Sequence, residues 1–125
     1  MNLYEYTERL KILLEQNVIS GKSHDLALLA FKELSKKLNK NDVEQAEMLF
    51  THLPMALDRC NSGKEVEGPS NAIMNEITQS NYFPIAKAQV DLIEEKWGSS
   101  IPEEEKNYLY MHYTTVLNVN SEGGK

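Results

Sequence analysis

The sequence predicts an all-α fold, a compact helical bundle of five core helices preceded by a short N-terminal helix. Three observations predict it. Apolar residues recur at helical spacing in successive stretches. No stretch of useful length alternates with the two-residue period of a half-buried strand. Asn, Ser, Pro and Gly stand at the joints, where helices start and stop.

The first helix is "NLYEYTERLKILLEQN", with Tyr6, Leu10, Leu13 and Leu14 on one face and Asn17 as its stop, since Asn tolerates the left-handed conformation at a helix end. The second runs from Ser23, read as its cap, to Leu38, with Ala27, Ala30, Phe31 and Leu34 along its stripe. The third starts after Asn41 or Asp42, both good caps, and runs to Cys60. The loop "NSGKEVEG" follows, and Pro69 is expected to open a short fourth helix. A fifth starts near Asn81, carries Pro84 in its first turn and the stripe Ala86, Val90, Ile93 and Trp97, and stops at Gly98. In "SSIPEEE", Ser100 with Glu103 fits a capping box, and three glutamates suit the start of the sixth helix. The expected division is an N-terminal helix and turn over 1–20, a helical domain over 21–118 and a disordered tail over 119–125.

Composition narrows the function. A chain of 125 residues with 26% charged residues suits one soluble domain with a single core. Thirteen basic residues against nineteen acidic ones disfavour a surface built to neutralise nucleic-acid phosphates. The lysines of "KELSKKLNK" are accounted for by the end of a helix, where cations complement the macrodipole. There is no signal-like amino terminus and no apolar run near a membrane span. One cysteine, Cys60, excludes a disulfide within the chain and suits a reducing cytoplasm. It also excludes a thiolate zinc site formed by one chain.

Two histidines carry the chemistry. On the third helix, "EMLFTHLPMALDR", the core stripe is Ala46, Leu49, Phe50, Leu53, Leu57 and Cys60. His52 lies roughly a third of a turn off that stripe, in a second line with Met48, Met55 and Arg59. Two thioethers beside an imidazole suggest a covered face, and Arg59 is placed to meet an anion held at His52. On the sixth helix His112 falls within the stripe Glu105, Leu109, His112, Val116, with Tyr108 one turn before it. There Tyr108 and Glu105 are the local candidates to partner it, Glu105 the weaker one because it is two turns away. On these residues alone each histidine reads first as a structural one, satisfied by a neighbour. His24 reads as a solvated surface residue. Pro54, inside the third helix, leaves the carbonyl of Phe50 without its helical donor and is expected to bend the helix.

"AEMLFTHLPMALDR", a helix pair, and then "IPEEEKNYLYMHY" resemble the phosphotransferase-system regulation domain, over roughly Leu10 to Leu117. His52 with Arg59 matches that family's first histidine motif; Glu105, Tyr108, Leu109 and His112 match its second. The resemblance implies that the third and sixth helices pack antiparallel and bring both histidines to one cleft. It implies phosphorylation on His52 and His112 by the phosphocarrier protein, or by a sugar-specific component, of the bacterial sugar phosphotransferase system. It implies a homodimer, with no cofactor and no enzymatic activity of its own. Asn107 and Tyr110 depart from the family pattern with larger side chains near His112, and His52 is expected to be the more accessible acceptor. Only the short first helix precedes the motifs, so control of transcription is expected to pass through a separate regulator in the cytoplasm, without direct nucleic-acid or membrane binding. Met48, Met55, Glu105 and Tyr108 are the expected supporting residues. Two other readings stay open: a small metal-binding or acid–base enzyme using His52, His112 and a carboxylate such as Glu105, and a dimeric interaction domain that is not phosphorylated.

Overall fold

The computed structural model describes residues 1–60, 62 and 67–122. Within them the chain is six helices: α1 Leu3–Glu15, α2 Gly21–Leu38, α3 Glu47–Cys60, α4 Asn71–Thr78, α5 Phe83–Trp97 and α6 Glu103–Glu122. Among the described residues there is no named strand, only an isolated bridge between Asn2 and Asp42. The all-α expectation holds.

Local chemistry sets most helix ends. Asn2 and Glu5 form a capping box at the start of α1, and Asn17 just beyond its end has φ +58°. Asn39 closes α2 in the left-handed conformation. Pro84 stands in the first turn of α5, and Gly98 ends it with φ +85°, where any other side chain would be strained.

Other ends differ from the sequence expectation, because a side chain or carbonyl finds another partner in the folded chain. The cap of α2 is Ser20, because the Ser23 hydroxyl donates instead to Asp58 at 2.6 Å. The α3 helix starts at Glu47, well after Asn41 and Asp42, because Asp42 accepts from the Met1 nitrogen at 2.7 Å and Val43 is drawn into the core. Ser70 caps α4, leaving Pro69 outside it. Pro102, not Ser100, precedes α6, its carbonyl accepting from the Lys106 amide. Residues 119–122, expected in a disordered tail, are the last turn of α6. The Asn120 side chain anchors that turn: it accepts from the Glu44 amide at 2.9 Å and donates to the Glu44 carbonyl at 3.0 Å. Residues 123–125 and most of the expected 61–68 loop lie outside the described residues.

The α2 helix is the hub, packing against α1, α3, α5 and α6, while α6 also covers α3, α4 and α5. One core runs through the molecule, and Tyr6 and Leu10 of α1 belong to it as fully as Phe31, Phe50, Trp97 and Tyr113. The 1–20 segment is therefore built into the bundle. Its most consequential contact answers the problem of Pro54. The Tyr6 hydroxyl donates to the Phe50 carbonyl at 2.7 Å, replacing the helical donor that the proline lacks. Around it the rings of Tyr6, Phe31 and Phe50 meet at centroid distances of 5.0–5.2 Å. This clamp fixes α3 two residues before His52.

Candidate functional site

The site lies where α3 and α6 pass each other. Arg59 near the end of α3 meets Glu105 in the first turn of α6, and His52, earlier on α3, meets His112, later on α6, so the helices run antiparallel. The two imidazole centroids are 5.7 Å apart, and the Tyr108 ring lies 5.8 Å from His52 and stacks beside His112 at 6.3 Å. Two residues that the sequence separates by sixty positions thus share one cleft.

Glu105 is its organising charge. It is 2% exposed, and a carboxylate that deep requires a partner. Arg59 supplies it: Nε donates to Oε2 at 2.9 Å and Nη2 to Oε1 at 3.0 Å, a forked pair of charge-assisted bonds. His52 Nε2 lies 3.5 Å from the Oε1 atom of the same carboxylate, within ion-pair distance but not aligned as a hydrogen bond. The sequence paired Glu105 with His112; the structure turns it across to α3. The signal was present as an acid inside an apolar stripe, which must face a cation. Sequence spacing does not say on which helix that cation lies.

Both imidazoles are held toward the neutral form. Burial pushes His52 down, and although Glu105 pulls the other way, Arg59 reinforces the burial. Burial also pushes His112 down, with His52 adding to it. Neutral imidazole is the nucleophilic form. Cys60, close to the same charges, has its thiol pushed up by burial and by Glu105, and its Sγ donates to the Ala56 carbonyl. It is a packing residue rather than a second nucleophile.

The two histidines meet their surroundings differently. His52 Nε2 is fully buried, whereas His112 lines an open hollow of about 290 Å³ with Gln45, Glu47, Met48, Leu49, Thr115 and Val116. Met55 packs against the core, but Met48 is 73% exposed, so the methionine face is open at that end in the single chain. Tyr110 does not crowd His112: its ring meets Phe83 of α5 edge-on at 5.3 Å. His24 pairs with the adjacent Asp25 and takes no part in the site. Among the described residues no group of three His, Cys, Asp or Glu is arranged to hold a metal ion.

The family model described as PRD domain matches residues 24–116, a span that includes every residue of the cleft. The chain belongs to the PRD family. PRDs are regulatory modules tied to the phosphotransferase system, rather than enzymes. The match leaves α1 outside, so the Tyr6 clamp on the Phe50 carbonyl ties the matched segment to a helix that precedes it. No curated protein and no solved structure gives a match. No helix among the described residues is long and apolar enough to cross a membrane.

Proposed function

We propose that this PRD is a histidine-phosphorylatable signalling module, dimeric, that controls transcription through a separate regulator. The phosphocarrier protein, or a sugar-specific protein, of the phosphotransferase system is the donor, and His52 and His112 are the acceptors. The observation that carries this reading is the pairing of two neutral-leaning imidazoles 5.7 Å apart beside a forked Arg59–Glu105 pair.

A phosphoryl group adds roughly two negative charges and three acceptor oxygens. At His52 that charge arrives beside a buried carboxylate, so the cleft must rearrange. Arg59, 29% exposed at its side chain, is free to turn and capture the phosphoryl oxygens. Glu105, released from it, then faces the phosphorylated ring. A contact that ties α3 to α6 is thereby exchanged for another, which is how a local charge biases packing or a dimer interface. The open hollow beside His112 and the exposed Met48 form a surface on which a donor or a second copy can sit.

The test is intact-mass spectrometry after incubation with phosphoenolpyruvate, the system's first enzyme and its phosphocarrier protein, with His52→Ala and His112→Ala alongside. The expected result is an acid-labile phosphoryl group that is lost with one histidine. No gain with either the phosphocarrier or a sugar-specific donor refutes the proposal.

A further inference from the structure

The His52 ring has one nitrogen that already has a neighbour. Nε2 is buried, has no hydrogen bond, and lies 3.5 Å from Glu105 Oε1. An unprotonated Nε2 would set its lone pair against a carboxylate oxygen in a low-dielectric site, which is repulsive; a protonated one turns the same contact into an attraction. The side chain is nonetheless 25% exposed, and because Nε2 contributes nothing to this, the exposure belongs to the other atoms of the residue.

From this contact we infer that Glu105 is a positioning residue that holds His52 as the Nε2–H tautomer, so that Nδ1 carries the lone pair and is the atom phosphorylated. The second half of this statement rests on the phosphorylation reading above; the first half does not. In the step itself, the Nδ1 lone pair attacks the phosphorus of the donor's phosphohistidine. The donor P–N bond breaks and its electron pair returns to the donor ring. His52 leaves as an imidazolium carrying phosphoryl on Nδ1 and the original proton on Nε2, and the donor leaves as neutral imidazole. The phosphoryl group and one positive charge change rings, no proton moves, and no other reactant is needed. Glu105 then faces a cationic N–H, a stronger partner than the neutral one. That accounts for why a buried acid, already satisfied by Arg59, stands against the one histidine face that water does not reach.

The experiment uses the full ¹⁵N-labelled chain. Ring ¹⁵N–¹H spectra of His52 are recorded first without any donor, then after phosphoryl transfer from the phosphocarrier protein, with phosphorus couplings assigning the phosphorylated nitrogen. The wild type is expected to show the Nε2–H tautomer and then phosphoryl on Nδ1 alone. Glu105→Gln, whose amide can donate as well as accept, is expected to show both tautomers and both phospho-isomers. Arg59→Lys keeps the acid and is expected to keep the wild-type tautomer, so loss of the fold in the glutamine variant leaves a second reading. An Nδ1–H tautomer in the wild type, phosphoryl on Nε2, or labelling confined to His112 overturns the inference. If no phosphoryl is taken up at all, the phosphorylation reading fails, while the donor-free spectrum still decides the role of Glu105.

Discussion

Removing either member of the Arg59–Glu105 pair breaks the same two hydrogen bonds, yet the two losses should differ. Arg59→Ala leaves a carboxylate that is 2% exposed, with His52 Nε2 at 3.5 Å as its remaining polar neighbour across the cleft. Breaking a buried pair in this way costs about 3–5 kcal/mol, because the stranded charge keeps its desolvation penalty. Partial access around the Arg59 side chain, 29% exposed, places the expected loss near the lower end, about 3 kcal/mol. Glu105→Ala strands a guanidinium that can turn to water, so only the net worth of the two charged hydrogen bonds and some packing are lost, about 1–2 kcal/mol. At about 4 °C per kcal/mol for a domain of this size, the two variants should melt roughly 12 °C and 6 °C below the wild type. Adding Glu105→Gln to Arg59→Ala should recover part of the loss, since a neutral amide is cheaper to strand than a carboxylate. Urea unfolding at pH 7.5 followed by circular dichroism, at about the pH where both histidines are neutral, reads the differences directly. Equal losses for the two single variants, or a larger loss for Glu105→Ala, would refute the reasoning that the buried acid is the dependent partner.

Three further outcomes follow from other parts of the structure. Tyr6→Phe removes the hydroxyl that donates to the Phe50 carbonyl and should cost about 1–3 kcal/mol, whereas in a Pro54→Ala background the same change should cost much less, because residue 54 then donates its own amide; equal costs in a double-mutant cycle would contradict the clamp. His52 and His112 are both pushed below the ordinary histidine value, so the unfolded chain binds more protons and stability must fall as pH drops below about 6.5, by at most about 1.4 kcal/mol per pH unit for each group. Unfolding curves between pH 7.5 and 5 check this, and removing both histidines should flatten the slope. Asn120→Ala should cost about 1–3 kcal/mol and speed hydrogen exchange in the last turn of α6, since it leaves the Glu44 amide and carbonyl without their side-chain partner; unchanged exchange there would show that the turn is held by something else.

What was legible in the sequence divides by the range of the interaction that decides it. The α5 helix was readable from end to end because its stripe, Pro84 and Gly98 act within a turn of where they stand. The start of α3 was not, because Asp42 is a good cap locally but is claimed by the Met1 nitrogen, forty-one positions away. Ser23 was lost to Asp58 in the same way. In the site, His52 and Arg59 were legible as one helical line, and His112 with Glu105 as another. Their mutual arrangement depends on which faces of α3 and α6 meet, so Glu105 was assigned to the histidine on its own helix rather than to the arginine opposite. Pro54 announced an orphaned carbonyl, but only the packed bundle names Tyr6 as its donor.

The most direct test of the central claim, that a phosphoryl group on His52 takes Arg59 from Glu105, is the ¹⁵N–¹H signal of Arg59 Nε, recorded on one sample before and after phosphoryl transfer. The account predicts a protected, shifted Nε–H that moves to a new position with the phosphoryl group and returns when acid removes it and the pH is restored. A signal that stays in place while His52 is phosphorylated would mean that Arg59 never leaves Glu105, and would contradict the exchange.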